Sequence, residues 1–193
     1  MPFSNLTIHW QGPFALVPGL SIPMIYDQDA ADEAGLYLWI TEIDGRPYLH
    51  YVGIASASGS IATRQRKHMS DYLGGIYTLY DPESFRRGEK QVLYSNDDRQ
   101  SFGHFIRHIQ QHHQAAMSLA GCMKVHTCRL DLDKPQLQRI ESAVIRQLRE
   151  TEGDAAKMLD NARLSRRVEP AQRIRVSTRG WPDYVGRPDW LEV

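Results

Sequence analysis

A single carboxylate interrupts an apolar helical stripe in the C-terminal half of the chain. Glu141 lies four residues after Leu137 and three before Val144, which points its side chain towards the core side of a helix. The other apolar members of the stripe are Ile140, Ile145 and Leu148. Because burial of an unpaired carboxylate is costly, Glu141 needs a basic partner, a stripe-edge position that reaches water, or a metal ion.

A guanidinium and an imidazole lie four residues apart in another segment. Ser60 is a suitable N-cap for a helix that we expect over residues 61–73, and this helix would place Arg64 and His68 on one face. The planar guanidinium fits phosphate oxygens, and an imidazole with a pKa of about 6.5 can accept a proton near neutrality. The alternative, a purely structural role for Arg64, is a surface salt bridge.

Two tyrosines flank a predicted β-hairpin that positions these groups. Residues 36–52 contain two runs of β-branched and aromatic residues joined by a turn sequence. In a hairpin without a bulge, a three-residue loop at 44–46 would pair Tyr37 with Gly53. Tyr37 and Tyr51 would then be diagonal neighbours on one face. By composition alone, Tyr37 would be an ordinary packed aromatic of the sheet.

The remaining patterns predict an α/β (α+β) fold, in which a small antiparallel sheet is flanked by helices. Strands are expected at 6–10, 91–94 and 122–130. Asp133 is expected to cap a last helix with Pro135 in its first turn. A helical pattern at 102–117 places its apolar residues on one side, namely Phe102, Phe105, Ile106, Ile109, Ala116 and Met117.

Length and composition favour one domain. The 193 residues, 41% of them hydrophobic, can enclose a sizeable core. We expect an N-terminal arm (1–32), a main domain (33–165) with an insert around 74–120, and a C-terminal tail (166–193). No apolar run is long enough to cross a bilayer and the N-terminus has no signal-peptide pattern, so we expect a cytoplasmic (intracellular) protein without a membrane partner.

Charge is balanced overall but uneven along the chain. Lys and Arg number 23, as do Asp and Glu, which argues mildly against a large non-specific nucleic-acid surface. Residues 161–180 nevertheless hold six arginines and one acid. Arg163, Arg166 and Arg167 are therefore candidate phosphate contacts, although a solvated face with a tail explains the run equally well.

A row of histidines lies at the end of the insert. His104, His108 and His112 repeat every fourth residue, and His113 is next to them. Three ligands in a row on one helix cannot readily close a tetrahedron around zinc. Phosphate contacts or simple solvation suit this row better than a metal site.

Taken together, the motifs resemble the GIY-YIG nuclease superfamily over about residues 33–161. Gly35-Leu36-Tyr37 corresponds to the first tripeptide and Tyr51-Val52-Gly53 to the second. Arg64, Glu141 and Asn161 correspond to the arginine of the following helix, the metal-binding glutamate and the late asparagine.

The resemblance implies a metal-dependent endonuclease that hydrolyses phosphodiester bonds, with DNA preferred to RNA as partner. Glu141 would hold one Mg²⁺ (or Mn²⁺) per active site, and Arg64 would stabilise phosphoryl charge. The general base would be Tyr51 or His68, because a tyrosine, whose pKa is about 10, needs nearby positive charge to act. Tyr37 would orient water or phosphate. Cutting both strands with one site per chain would favour a homodimer.

The sequence departs from the family pattern after the second tripeptide. Many members have a lysine where this chain has Ile54, so any role of that lysine passes to Lys67 or is absent. Asn161 follows Glu141 at a longer interval than expected and could instead be a helix N-cap. The tripeptide Gly75-Ile76-Tyr77 spells the first motif literally, but no Tyr-x-Gly follows at hairpin distance, so we exclude it as the motif.

Two other functions remain open at this point. A nucleic-acid-binding or scaffolding domain could have kept the fold and lost hydrolysis, in which case binding would survive Glu141→Ala and fall steeply with salt. A histidine-based metal-binding protein would lose zinc with His108→Ala. We expect the recognition elements for nucleic acid to lie in the arm, the insert, the tail or a partner.

Overall fold

The computed structural model describes residues 5–56, 59–97, 101–151, 155–160, 173–179 and 190–192. Within these ranges there are nine strands and five α-helices. The strands are β1 (Asn5–His9), β2 (Gln11–Ala15), β3 (Gly35–Ile43), β4 (Arg46–Ala55), β5 (Leu79–Tyr80), β6 (Val92–Tyr94), β7 (Met123–Arg129), β8 (Arg173–Arg179) and β9 (Trp190–Glu192). The α-helices are α1 (Ile61–Leu73), α2 (Pro82–Arg86), α3 (Ser101–Arg107), α4 (Ile109–Gly121) and α5 (Lys134–Thr151).

The central sheet is antiparallel, with strand order β2-β7-β3-β4, and helices cover both of its faces. Because side chains alternate along a strand, Leu36 and Leu38 pack with Ile140 of α5, whereas Tyr37 and Trp39 pack on the other face with residues of α1 and α4. The predicted mixed α/β class with a small antiparallel sheet is therefore confirmed. Strand β4 is at the edge of this sheet.

The hairpin has the predicted pairing of strands, but its turn differs from the prediction and a bulge shifts its register. Tyr37 is opposite Gly53, as expected. The turn, however, has two residues, Asp44 and Gly45, both with positive φ (51° and 73°), the conformation of a type I′ turn. The expected three-residue loop is therefore wrong. A β-bulge at His50 inserts one extra residue into β4, and this restores the register that puts both tyrosines on one face.

The helices that carry the charged candidates begin where their caps predict. Ser60 accepts a hydrogen bond from the backbone N–H of Thr63 at the start of α1. Asp133 accepts one from the backbone N–H of Gln136, and the Gln136 side chain in turn accepts one from the Asp133 N–H, which forms a capping box at the start of α5. Arg64 and Glu141 therefore lie on helices whose N-termini are capped.

The expected single helical pattern at 102–117 is two helices with a break at His108, which has φ −116° and ψ 25°. The break changes which residues face the core. Phe105 is buried as predicted, whereas Phe102 and Ile106 are about half exposed (55% and 48%). The apolar residues predicted to share one side of a single helix are therefore divided between buried and exposed positions.

The N-terminal segment contributes strands to two sheets. Strand β2 pairs with β7 at the edge of the central sheet, and β1 runs parallel to β8 in a separate three-stranded sheet with β9. The domain boundaries given above stay a prediction. Among the described residues, no helix has both the length and the apolar character required to span a membrane.

Candidate active site

The glycines of both tripeptides are required by close packing. A Cβ atom on Gly53 would lie 2.3 Å from the Cζ and Oη atoms of Tyr37, so the Tyr37 ring rests on the glycine backbone. A Cβ on Gly35, whose φ is +150°, would lie 1.9 Å from the carbonyl oxygen of Cys128. The two tripeptides thus form one packing unit, in which the tyrosine of the first packs against the glycine backbone of the second.

Tyr37, His68 and Tyr77 form a chain of hydrogen bonds that is buried at Tyr37 and His68 and partly exposed at Tyr77. The Tyr37 hydroxyl lies 2.6 Å from His68 Nε2, and the Tyr77 hydroxyl lies 3.0 Å from His68 Nδ1. Burial, with the charge of Arg64 second, lowers the pKa of His68 to about 4. Because a neutral imidazole has one donor and one acceptor nitrogen, one tyrosine hydroxyl donates to the ring and the other accepts from it.

The two motif tyrosines stack with ring centroids 6.1 Å apart, but they differ in access to solvent. Tyr37 is fully buried at 0% exposure, whereas Tyr51 is partly exposed and lines a cavity. Burial raises the pKa of the Tyr51 hydroxyl, Glu141 raises it further, and Arg64 opposes both. Tyr51 is therefore the motif hydroxyl that a bound molecule can reach.

Arg64 projects from α1 beside both tyrosines, and its charge opposes the rise in the pKa of each. Its Nε atom is buried and has no hydrogen-bond partner among the described residues. A buried guanidinium nitrogen without a partner is costly, and an anionic oxygen would satisfy it.

Glu141, on α5, is the second charged group of the site. It forms no hydrogen bond or ion pair with any residue in the described ranges, although the Arg64 charge acts on it. Burial raises the pKa of the Glu141 carboxyl to about 7, against the opposing charge of Arg64. The carboxylate that looked misplaced in an apolar stripe is thus partly desolvated and ready to accept a positively charged ligand.

Two openings meet at Glu141. The larger, which we call the aromatic cavity, has a volume of about 540 Å³. Its lining consists of Trp39, His50, Tyr51, His68, Tyr72, Ile76, Tyr77, Thr78, Glu141 and Asp160. The smaller, the polar cleft, has a volume of about 420 Å³ and is lined by Ile54, Ser56, Gly59, Arg64, Lys134, Gln138 and Glu141.

Several lining residues were not anticipated from the sequence. Asp160 accepts a hydrogen bond from the Tyr80 hydroxyl at 2.7 Å, pairs with Lys90 at 3.5 Å, and donates its backbone N–H to the carbonyl of His50. Lys134 enters the polar cleft from the first turn of α5. Asp160 directly precedes the candidate Asn161, which is the one local signal that could have found it.

Tyr77 also joins the site, although its tripeptide was excluded as the nuclease motif. It reaches the site as the hydrogen-bond partner of His68 and as part of the cavity lining, not as a strand residue of the hairpin. The literal motif spelling at 75–77 and the role of Tyr77 in the site are therefore unconnected. No sequence spacing between Tyr77 and His68 indicates this contact.

Other candidates lie away from Glu141 or outside the described residues. Lys67 is on α1, and its ammonium pairs with Asp71 at 2.8 Å with 60% of the side chain exposed; it lines neither opening. Its role as a nucleic-acid contact stays a prediction. Asn161, Arg163, Arg166 and Arg167 fall in a segment outside the described residues.

The donor set around Glu141 suits a hard cation that retains water. No group of three or more His, Cys, Asp or Glu able to hold a metal exists in the described part of the chain. Asp160, the other carboxylate of the aromatic cavity, is engaged by Tyr80 and Lys90, so Glu141 is the carboxylate left to meet a cation. One carboxylate beside open space fits Mg²⁺, which takes few protein ligands and keeps several waters, better than zinc. In the histidine row, the ring of the buried His112 is hydrogen-bonded to the backbone carbonyl of Phe105, and the ring of His113 is hydrogen-bonded to that of Leu73.

Comparison of the chain with protein-family models, with curated proteins and with solved structures finds no match in any of the three.

Proposed function

We propose that the protein is a Mg²⁺-dependent endonuclease that hydrolyses phosphodiester bonds in nucleic acid, with DNA preferred to RNA. The observation that carries this proposal is the pair of opposite charges, Arg64 and Glu141, that line the polar cleft with bonding capacity that the described residues leave unused. Arg64 has a buried Nε without a partner among the described residues, and Glu141 is a desolvated carboxylate. A phosphate with its accompanying divalent cation would satisfy both at once. The resemblance to the GIY-YIG superfamily points to the same chemistry.

The residues divide into groups that contact the substrate and groups that position them. Glu141 would hold the cation, which when bound supplies positive charge next to the phosphoryl oxygens and the attacking water. Arg64 would bind the same phosphoryl group through its guanidinium. Tyr37, fully buried, is a positioning residue that fixes His68 and packs on Gly53, in place of the direct role expected from the sequence.

We assign Tyr51 as the general base that accepts the proton of the attacking water. His68 is 3% exposed and both of its ring nitrogens contact tyrosine hydroxyls, so it does not meet a water directly. The water oxygen would form a bond to phosphorus, and the water proton would pass to the Tyr51 phenolate. The bond from phosphorus to the leaving oxygen would break, and this oxygen would take up a proton from solvent to leave as an alcohol. Neutralising the charge of Glu141 removes one cause of the raised Tyr51 pKa and favours the phenolate.

The test is cleavage of supercoiled plasmid, single-stranded DNA and structured RNA in Mg²⁺ or Mn²⁺. We expect cleavage by the wild type and none by Glu141→Ala or in EDTA. Glu83→Ala, which removes a surface carboxylate with 76% exposure, is the matched control and should retain full activity. If no polymer is cleaved and Glu141→Ala binds nucleic acid as well as the wild type, the protein is a binding module on this fold.

The role of Tyr51 has its own readout. Tyr51→Phe keeps the ring but removes the hydroxyl, so the catalytic rate should fall about 100-fold or more while binding changes little. A pH–rate profile of the wild type that rises above neutrality, and is lost in Tyr51→Phe, would support the assignment. An unchanged rate in Tyr51→Phe would contradict it.

A further inference from the structure

We infer that the aromatic cavity receives an unstacked nucleobase next to the scissile phosphate, so that the substrate is single-stranded or locally unpaired nucleic acid. This inference rests on the proposed function, because it takes the phosphate at Glu141 and Arg64 as its starting point. It adds the class of substrate, which neither the motif residues nor the metal site specifies.

The lining of the cavity fits a flat, aromatic ligand. Six of its side chains carry rings, namely Trp39, His50, Tyr51, His68, Tyr72 and Tyr77. The volume of about 540 Å³ falls in the range of small-molecule pockets, roughly 300–1,000 Å³. A phosphodiester group alone needs no such walls, whereas every base offers a π-face to aromatic side chains. A base that is stacked and paired in a duplex cannot enter a cavity of this kind, so the base must be unstacked.

The position of the cavity matches the connectivity of a nucleic-acid strand. Glu141 lines both the aromatic cavity and the polar cleft, and Arg64 and Lys134 lie in the cleft. A phosphate at Glu141 and Arg64 therefore has a cationic cleft on one side and an aromatic cavity on the other. The cleft suits the next phosphate of the strand, and the cavity suits the base of the adjoining nucleotide.

Asp160 makes the cavity unsuitable for a phosphate and suitable for a base edge. Its carboxylate accepts hydrogen bonds only, and its charge repels an anion. The hydrogen bond from Tyr80 and the shortest Lys90 contact both go to Oδ1. A carboxylate has about four acceptor positions, so Asp160 can also accept from the N–H groups of a base. Guanine offers two adjacent donors, at N1 and at its amino group, so we expect guanine to be favoured in the cavity.

Ile76 provides an exposed apolar group at this site. It lines the cavity and is 54% exposed. A base entering the cavity would cover it. Val92, which is also 54% exposed but does not line the cavity, gives a matched control.

The experiment uses single-turnover cleavage of oligonucleotides whose cut positions have been mapped. We expect the single strand to be cut at least about tenfold faster than the same sequence in a duplex. An abasic nucleotide next to the cut phosphate should slow cleavage by about tenfold or more, because a stacked base contributes that much. Asp160→Asn should abolish the preference for guanine. Ile76→Ser should slow cleavage several-fold and Val92→Ser should not.

Failure of this inference is distinguishable from failure of the proposed function. Mg²⁺-dependent cleavage that requires Glu141 but is equally fast on abasic or duplex substrates would overturn the base cavity and leave the nuclease intact. Binding of single strands by Glu141→Gln, measured by fluorescence anisotropy, tests the cavity without cleavage. Weaker binding of the abasic strand by this variant supports the cavity even if no cleavage is found, and equal binding overturns it.

Discussion

Replacing Glu141 by Gln should stabilise the metal-free protein at alkaline pH, although it removes the residue that we assign to the metal. Gln has the same shape as Glu but carries no charge. Burial makes the charged carboxylate unfavourable in the folded state and raises its pKa from 4.5 to about 7. The folded protein therefore holds a proton on Glu141 over a pH range in which the unfolded chain has lost it.

The pH range and the size of the effect are set by these two values. Below pH 4.5 Glu141 is protonated in both states and contributes no pH dependence. Between pH 4.5 and about 7 the unfolded chain ionises first, so the free energy of unfolding of the wild type falls as pH rises. Above about 7 the loss is complete and amounts to about 2 to 3 kcal/mol, allowing for the part of the side chain that contacts water.

The assay compares the thermal unfolding of wild type and Glu141→Gln in EDTA from pH 4 to 8.5. We expect equal stability near pH 4 and a melting temperature about 4 to 12 °C higher for the variant at pH 8. Taking the difference between the two proteins removes the opposite trend of the buried histidines, whose pKa values are lowered. Mg²⁺ at pH 8 should then raise the melting temperature of the wild type alone.

Glu83→Gln is the control, since Glu83 is exposed and its ion pair with Arg86 lies at the surface, so the substitution should change stability by no more than about 1 kcal/mol. The reasoning would be refuted by a Glu141→Gln variant that is less stable than the wild type at pH 8. That result would mean that the Glu141 carboxylate has a favourable partner in the folded protein and is not desolvated.

Two further predictions concern the packing of the motif and the polar cleft. Gly53→Ala should destabilise the protein by about 1 to 3 kcal/mol or more in urea unfolding, because its Cβ would lie 2.3 Å from the Tyr37 ring. Gly103→Ala on α3, where a Cβ meets nothing closer than 3.7 Å, should be neutral or stabilising, and equal effects of the two substitutions would contradict this account. Lys134→Ala should weaken single-strand binding and lower the salt dependence of log Kd by about one phosphate contact. Lys67→Ala should have a smaller effect, because the Lys67 ammonium is already paired with Asp71. Equal losses of affinity for the two variants in a salt titration would argue against phosphate binding in the cleft.

Local signals were sufficient for several of the elements and for part of the site. The N-caps Ser60 and Asp133 depend on side chains within three residues of the helix start, and both are confirmed. The helical stripe placed Glu141 at the core side of α5, and it is indeed partly buried there. The pairing of Tyr37 with Gly53 was predicted correctly, although it was predicted from a three-residue loop without a bulge, and the hairpin has a two-residue turn with a bulge.

Contacts that depend on tertiary packing could not be predicted in the same way. Asp160 belongs to the cavity because its segment packs against β4, and its nearest partners, Tyr80 and Lys90, are far from it in sequence. Tyr77 reaches His68 across a turn that has no periodic pattern. The apolar side of 102–117 was assigned for one continuous helix, whereas the break at His108 divides the segment into α3 and α4.

The bulge at His50 has a consequence for changes in chain length. The bulged residue keeps Tyr37 and Tyr51 on one face of the sheet. If β4 paired with β3 through the same two-residue turn but without the bulge, Tyr51 would lie opposite Leu38 and would face the other side of the sheet from Tyr37. A residue added within the turn only lengthens the loop and leaves the paired strands in place, so the register that brings the two tyrosines together tolerates changes in the length of the surface turn but not a slip of β4.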